Sequence, residues 1–418
     1  MQREATSADR AVPRGWGGPR ARVFALTWIA YASYYLGRKN FSLAKTTLEE
    51  QLGFTRDALA WVDTGYLAGY AAGQFLMGVL GDRLGPRRLV GAGMMAAAAL
   101  VAISGSATTA LAVAIPFALN GVAQSSGWPG TVKAMTPWFR SSERGRVMGL
   151  WSTCYQVGGL ASGAIGAALL KHYGWRVSFF LPAVWIALVG GAILLALPEA
   201  EASTGPARQA AQLRLVRDPT LWSLGLAYFC LKLIRYSLLF WLPYYLERSV
   251  GMAREHAGFQ SLAFEGGGVI GAVAVGAISD RLLGGRRGLA GLCGCVGLAL
   301  ALLLYVVIGR AGAAANFLGL AAVGMLLFGP DALISGAAAQ DAGGNEAAAT
   351  AAGFINGMGS IGAVLQGLLT SRISARYGWD ALFEVFVALA FLAAVAMLPR
   401  ALTDRRRNSQ GIGGSRPA

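Results

Sequence analysis

Gly78-Val-Leu-Gly-Asp82-Arg83-Leu-Gly85-Pro-Arg87-Arg88 occurs, in altered form, twice in this chain. Its partner is Gly276-Ala-Ile-Ser-Asp280-Arg281, with the two Asp 198 positions apart, and a second basic pair, Arg286-Arg287, follows it. Other features return at nearly the same interval. Tyr173-Gly174-Trp175 comes back as Tyr377-Gly378-Trp379, 204 positions on, and Arg38 and Arg235 are 197 apart. A chain of 418 residues that repeats at about half its length is two versions of one plan. Repeats of this size are the mark of helical carriers whose ligand sits between two bundles.

Composition points the same way. The chain is 55% hydrophobic and only 14% charged, with mean hydropathy +0.50. One soluble core could not hide so much apolar surface, so the natural solvent is lipid. Apolar runs of about 20 residues, each able to cross a bilayer as a helix, recur along the chain. They place spans at 23–46, 58–80, 89–108, 111–134, 147–170 and 177–197, then at 218–246, 258–279, 288–309, 315–339, 348–371 and 380–398. A barrel would show short alternating segments instead. The expected fold is therefore an all-α membrane protein of twelve transmembrane helices in two pseudo-symmetric six-helix bundles, 23–197 and 218–398. A polar linker, 198–217, joins them, and basic tails, 1–22 and 399–418, flank them. Arg38 and Lys39 inside the first apolar stretch argue against a cleaved signal peptide.

The formal net charge is +15, but its placement argues against nucleic acid. Arg3, Arg10, Arg14, Arg20 and Arg22 at one end and Arg400, Arg405, Arg406, Arg407 and Arg416 at the other fall on one predicted side. Arg83, Arg87, Arg88, Arg140, Arg144, Arg146, Arg208, Arg214, Arg217, Arg281, Arg286 and Arg287 fall there too. Basic loops stay cytoplasmic, so both termini are expected in the cytoplasm, with the basic tails near anionic lipid of a cell inner membrane. His172 and His256 are far apart, and Cys154, Cys230, Cys293 and Cys295 lie inside helices as small packing residues, so no metal or cofactor is expected. No enzyme motif stands out.

A cation at the bilayer centre costs about 2.5–3.5 kcal/mol, so each invites an explanation. Tyr31, Tyr35, Arg38, Ser42 and Lys45 follow helical steps that keep them on one face, and Tyr228, Lys232 and Arg235 do the same on the seventh helix. Six membrane cations (Arg38, Lys39, Lys45, Lys133, Lys232, Arg235) face three acids (Asp63, Glu265, Asp331). The surplus suits a small anion. Only 5 of the 36 basic residues are Lys, and four of these lie in or beside the membrane, so Lys at 39, 45 and 232 is a specific choice. A guanidinium keeps its charge, whereas an ammonium can lose its proton when buried. Lys39 points away from Arg38 and is expected to pair internally with Glu265, while Lys133 is expected to snorkel and Lys45 to serve either the cavity or the periplasmic mouth.

Gly78 to Arg88 resembles the loop signature of the major facilitator superfamily. The resemblance implies a latch in which Asp82 and Asp280 cap helix ends and pair with Arg83 and Arg281. Tyr34-Tyr35-Leu-Gly-Arg38-Lys39-Asn40-Phe41 is similar to the first helix of the organophosphate:phosphate antiporters, and Leu233-Ile-Arg235-Tyr236 with Trp241-Leu-Pro243 to their seventh. Gly127-Trp128-Pro129 and Phe264-Glu265-Gly266 also match. The stretches Asp63 to Gly73, which includes Tyr70, and Gly329-Pro330-Asp331-Ala332-Leu333-Ile334 resemble the sugar-phosphate exchangers of that family. The resemblance implies that Arg38 and Arg235 grip phosphate, one from each half, and a guanidinium fork does match two phosphate oxygens.

Several positions depart from that pattern. Tyr155, after Trp151, stands where glycerol-phosphate carriers have His, Gln74 replaces a cavity Lys, and Phe240 replaces an acid. Lys45 and Lys232 are additions. The expected substrate site is Arg38, Arg235, Lys232, Lys45, Tyr31, Tyr35, Tyr155, Gln74, Tyr70 and Trp151. Gly159-xxx-Gly163 and Gly353-xxx-Gly357 are expected to allow close helix packing, and Gln156 and Asn356 to be either cavity residues or interhelical bonds. The expected activity is rocker-switch exchange of a sugar phosphate or phosphoglycerate-like ester for inorganic phosphate by a monomer. Exchange follows if the empty carrier, with two unpaired Arg, reorients poorly. The alternatives are a proton-coupled symporter of an organic anion, with Asp63, Glu265 or Asp331 as proton site, and a non-transporting sensor of phosphate esters.

Overall fold

A computed structural model of the chain describes residues 16–199 and 206–412. Arg3, Arg10, Arg14 and Arg416 lie outside the described residues, as does part of the expected linker. The first half comprises α1 (Pro19–Tyr34), α2 (Leu36–Leu52), α3 (Arg56–Leu84), α4 (Pro86–Ser106), α5 (Ala110–Gln124), α6 (Gly127–Met135), α7 (Arg144–Trp151), α8 (Thr153–Tyr173) and α9 (Val177–Ala196). After α10 (Pro206–Arg217), the second half comprises α11 (Pro219–Arg248), α12 (Arg254–Arg281), α13 (Arg287–Ile308), α14 (Ala313–Ala332) and α15 (Ala339–Ile412). Local breaks divide single crossings: α1 and α2 form the first span, α5 and α6 the fourth, and α7 and α8 the fifth. Conversely, α15 contains the eleventh and twelfth spans, separated at Gly378, whose φ of 87° is a left-handed value favouring glycine.

Helix ends follow local chemistry. The Thr55 and Thr109 side chains accept from Ala58 N and Ala112 N to start α3 and α5, and Asp218 with Pro219 opens α11. Several helices outrun their apolar stretches: the first span runs from Pro19 to Leu52 rather than 23–46. Hydropathy stops at the headgroups, whereas backbone hydrogen bonding continues into water. Leu119, Leu195 and Val307 are among many large apolar side chains exposed on the outer surface, as lipid contact requires.

Both described ends and the basic loops share one face. Trp16 packs against Phe139 with ring centroids 5.7 Å apart, and Gly288 N donates to Asp404 at 2.8 Å. On this face the halves are bolted together. Asp82 at the end of α3 accepts from Thr350 Oγ1 at 2.6 Å, Thr350 N at 2.8 Å and Ala349 N at 3.2 Å, capping the eleventh span. Asp280 at the end of α12 accepts from Arg146 N at 2.7 Å and Gly145 N at 3.2 Å, capping the fifth. Arg144 and Arg287 share Asp341 at 2.8 and 3.2 Å. The linker helix α10 adds a strap, its Gln212 amide donating to Thr350 Oγ1 at 3.0 Å and to Val79 O at 3.3 Å.

This latch differs from the expected one. Asp82 pairs with Lys133 at 3.0 Å and Asp280 with Arg287, while Arg83 and Arg281 are exposed. Adjacent helical residues point about 100° apart, so burying Asp82 turns Arg83 outward. Lys133 does not snorkel; it is buried against Asp82 and Asn345 O. Glycine brings the backbones close: a Cβ on Gly149 would lie 2.3 Å from Ala272 O, and one on Gly353 2.4 Å from Gln74 O. Gly163 has open space instead, so Gly159-xxx-Gly163 is no packing motif here.

Candidate functional site

Beyond this latch the first and seventh spans face a cleft. Along it Tyr35, Arg38 and Tyr236 are half-buried and Lys39 is exposed, so it opens toward the face opposite the latch. The break at Tyr35 lies three residues before Arg38. Arg38 Nε donates to Gln124 Oε1 at 2.7 Å, and its guanidinium lies 4.8 Å from the Tyr35 ring centre, 4.9 Å from Tyr70 and 5.7 Å from Tyr31. Gln124 is itself held: it accepts from Tyr66 OH at 3.1 Å and donates to Asn120 Oδ1 at 3.1 Å. The Asn120 amide in turn donates to Gly37 O at 3.2 Å. Neutral amides and aromatic faces thus orient the cation without neutralising it.

The second cation is treated differently. Arg235 Nη1 donates to both oxygens of Asp331, at 3.1 and 3.3 Å, and Asp331 is only 1% exposed. The guanidinium also lies 4.4 Å from the Phe328 ring centre and 4.6 Å from Tyr155, whose OH reaches Asp331 Oδ2 at 3.5 Å. One turn earlier, Lys232 Nζ donates to Asn356 Oδ1 at 2.8 Å and Ser360 Oγ at 3.5 Å. The Asn356 amide meets Tyr70 OH at 3.5 Å, and Tyr70 OH lies 3.4 Å from Tyr31 OH. A polar chain therefore crosses from Lys232 to the first span. Below it, Tyr31, Trp128, Trp151 and Tyr155 form an aromatic floor with neighbouring centroids 5.3–6.4 Å apart.

Two cations from equivalent places in the halves, held over such a floor, have the chemistry to hold a small anion. Residues 27–367 match the Major Facilitator Superfamily. The chain belongs to that superfamily. Sugar phosphate exchanger 3 of Homo sapiens is 30% identical, with 90% of this chain and 92% of the relative covered. The glycerol-3-phosphate transporter of Bacillus subtilis (strain 168) is 28% identical, with 90% and 91% covered. Relatives of these kinds place the chain within the organophosphate:phosphate antiporters of the superfamily. The human organic anion transporter MFSD10 (TETRAN) has the same fold, with TM-score 0.69, 17% identity and coverage of 91% and 100%.

Within this major facilitator fold, some expected site residues lie elsewhere. Lys45 forms an ion pair with Asp63 on the outer arms of the first and second spans, each about a third exposed, rather than entering the cationic cluster. Gln74 is wholly buried where the second span meets Gly353, whereas Trp151 stays in the aromatic floor, its Nε1 donating to Thr27 Oγ1 at 3.0 Å. Among the described residues neither Lys39 nor Glu265 has an ion-pair partner; Lys39 lies beside Gly159 on the fifth span. Asn356 bonds across the halves, while both amide atoms of buried Gln156 lack partners. Asn120, Gln124, Tyr66, Trp128, Phe328 and Ser360 were not anticipated. Asn120 and Gln124, four apart on an otherwise apolar helix, carried a readable signal.

Proposed function

We propose that this carrier exchanges a small phosphate ester for inorganic phosphate across the cell inner membrane, with its basic face and both termini in the cytoplasm. One observation carries this: Arg38 Nη2 and Arg235 Nε are buried and have no partner among the described residues, so both guanidinium groups keep hydrogen-bonding capacity at the cleft. Phosphate oxygens are the natural acceptors for such a pair of forks. Lys45 is engaged by Asp63, Lys133 by Asp82, and Lys39 is exposed beside Gly159, which leaves Arg38, Lys232 and Arg235 against Asp331 at the buried site. Three cations and one carboxylate match a dianion. In this orientation the cytoplasmic side is latched and the cleft faces the periplasm, and rocking the bundles about the site exposes it to the other side. Lys232, held only by neutral Asn356 and Ser360, is placed to read a further anionic or hydroxylated part of the ester, which favours a sugar phosphate or a phosphoglycerate-like compound. A monomer suffices, because the cleft is complete within one chain.

Counterflow tests this. Liposomes containing the purified protein and loaded with unlabelled phosphate should transiently concentrate external labelled phosphate. Hexose phosphates and phosphoglycerate should compete better than glycerol 3-phosphate. A folded protein that accumulates no label above protein-free liposomes would overturn the proposal.

A further inference from the structure

The two site cations are unequal in this structure. Arg38 is held by a neutral amide, whereas Arg235 is gripped at both oxygens by Asp331. That carboxylate is placed by unusual backbone: Pro330 precedes it, a π-helical turn, Leu333–Ala338, follows almost at once, and Ser335 Oγ donates to Asp331 O at 2.7 Å. Turns of this kind accompany functional sites more often than plain packing. Both carboxylate oxygens meet a single guanidinium nitrogen, Nη1, so Asp331 neutralises Arg235 while its Nε stays unpartnered.

We propose that Asp331 is a resident anion standing in for phosphate on Arg235, and that it allows the empty carrier to reverse. This rests on the exchange reading above, and it removes the expectation that the empty carrier presents two bare guanidinium groups. Closing a low-dielectric site around an unpaired cation is costly, and here one of the two cations is already neutralised. Incoming phosphate meets the unpartnered Nε of Arg235 first and then competes with Asp331 for the guanidinium charge. The displaced carboxylate has a second cation available, because Lys232 lies three residues earlier on the same helix face and holds only neutral partners. Asp331 thus lowers apparent phosphate affinity while permitting net transport without a counter-substrate.

Asp331→Asn keeps the shape and removes the anion. Proteoliposomes loaded with labelled phosphate, with the membrane potential clamped, are diluted into buffer with or without phosphate to read exchange and net efflux. Wild type should show both. In the variant, the ratio of net efflux to exchange should fall about tenfold, and phosphate should bind the purified protein about tenfold more tightly, the effect of roughly 1.4 kcal/mol. Asp331→Glu, which retains the carboxylate, should keep the wild-type ratio. Wild type without net efflux, an unchanged ratio in the Asn variant, or unchanged or weaker phosphate binding by that variant would each overturn the proposal. The binding result decides even if the variant does not transport. Wild type that performs no exchange would instead overturn the exchange reading itself.

Discussion

Arg38 and Arg235 occupy equivalent turns of the first and seventh spans, yet they keep different company. Arg38 stands in a box of tyrosine rings with one amide bond to Gln124, while Arg235 has Asp331 on its Nη1. The repeat has kept the backbone position and the charge but not the partner. One half therefore offers a cation held by neutral groups, and the other a cation already paired with a buried carboxylate. Replacing each with Lys breaks this comparison most sharply, since Lys keeps the charge and loses the fork. Each variant should lose exchange by about 10²-fold with membrane expression intact, from a charge-assisted contact of up to about 3 kcal/mol. Arg38→Lys should be the worse, because Asp331 can still hold an ammonium at position 235. Labelled-phosphate exchange in matched proteoliposomes checks this, and normal exchange by either variant would remove that residue from the site.

A second pair of equivalents separates less cleanly. Asp82 caps the eleventh span and pairs with Lys133 of its own half. Asp280 caps the fifth span and is clamped by Arg287, which is itself buried. Losing a helix cap costs about 0.5–2 kcal/mol, so either Asp→Asn change should release the closed face and enrich the opposite conformation several-fold. Asp82→Asn should act more strongly, because it leaves buried Lys133 without its carboxylate, whereas Arg287 keeps Asp341. Spin labels at the exposed positions Arg83 and Arg281 would report the parting of the basic ends as a longer distance. An unchanged distance distribution in both variants would mean that the caps do not hold the latch.

The sequence made the plan of the fold legible, because Asp82 and Asp280 recur with their glycines and basic pairs at one spacing. It also made legible that Arg38 and Arg235 lie on equivalent helical faces, since a step of three or four residues fixes azimuth within a helix. What it could not give was azimuth between helices. Lys45 and Asp63 lie on neighbouring spans and Lys133 lies within reach of Asp82, yet apolar flanks alone do not say which face of one span meets which face of the next. The clamp of Asp331 on Arg235 was hidden for the same reason, compounded by a π-helical turn that shifts the register of the tenth span. Gln124 differs. Its four-residue spacing from Asn120 was visible, and only its apolar surroundings drew attention elsewhere.

The smallest effect is expected where charges do not meet in this conformation. The fifth and eighth spans cross with Gly145 against Gly276 and Gly149 against Ala272. Extending that antiparallel register brings Gln156 opposite Glu265, one turn from Gly159, beside which the Lys39 ammonium lies. The two helices part above the crossing, because the cleft is open there. When the cleft closes and the basic face opens, the same pair should zip together at this height and carry Lys39 to Glu265. An ion pair at a wet mouth is worth only about 0.2–1 kcal/mol. Lys39→Gln and Glu265→Gln should therefore each shift the conformational ratio modestly toward the form described here. The double variant should shift it by less than the sum, with a coupling of about 0.5–1 kcal/mol. Read with the same spin labels, coupling appears only in the population whose basic face is open. Strictly additive shifts would show that Lys39 and Glu265 never meet, and the contrast between a paired second half and an unpaired first would then rest on Arg38 and Arg235 alone.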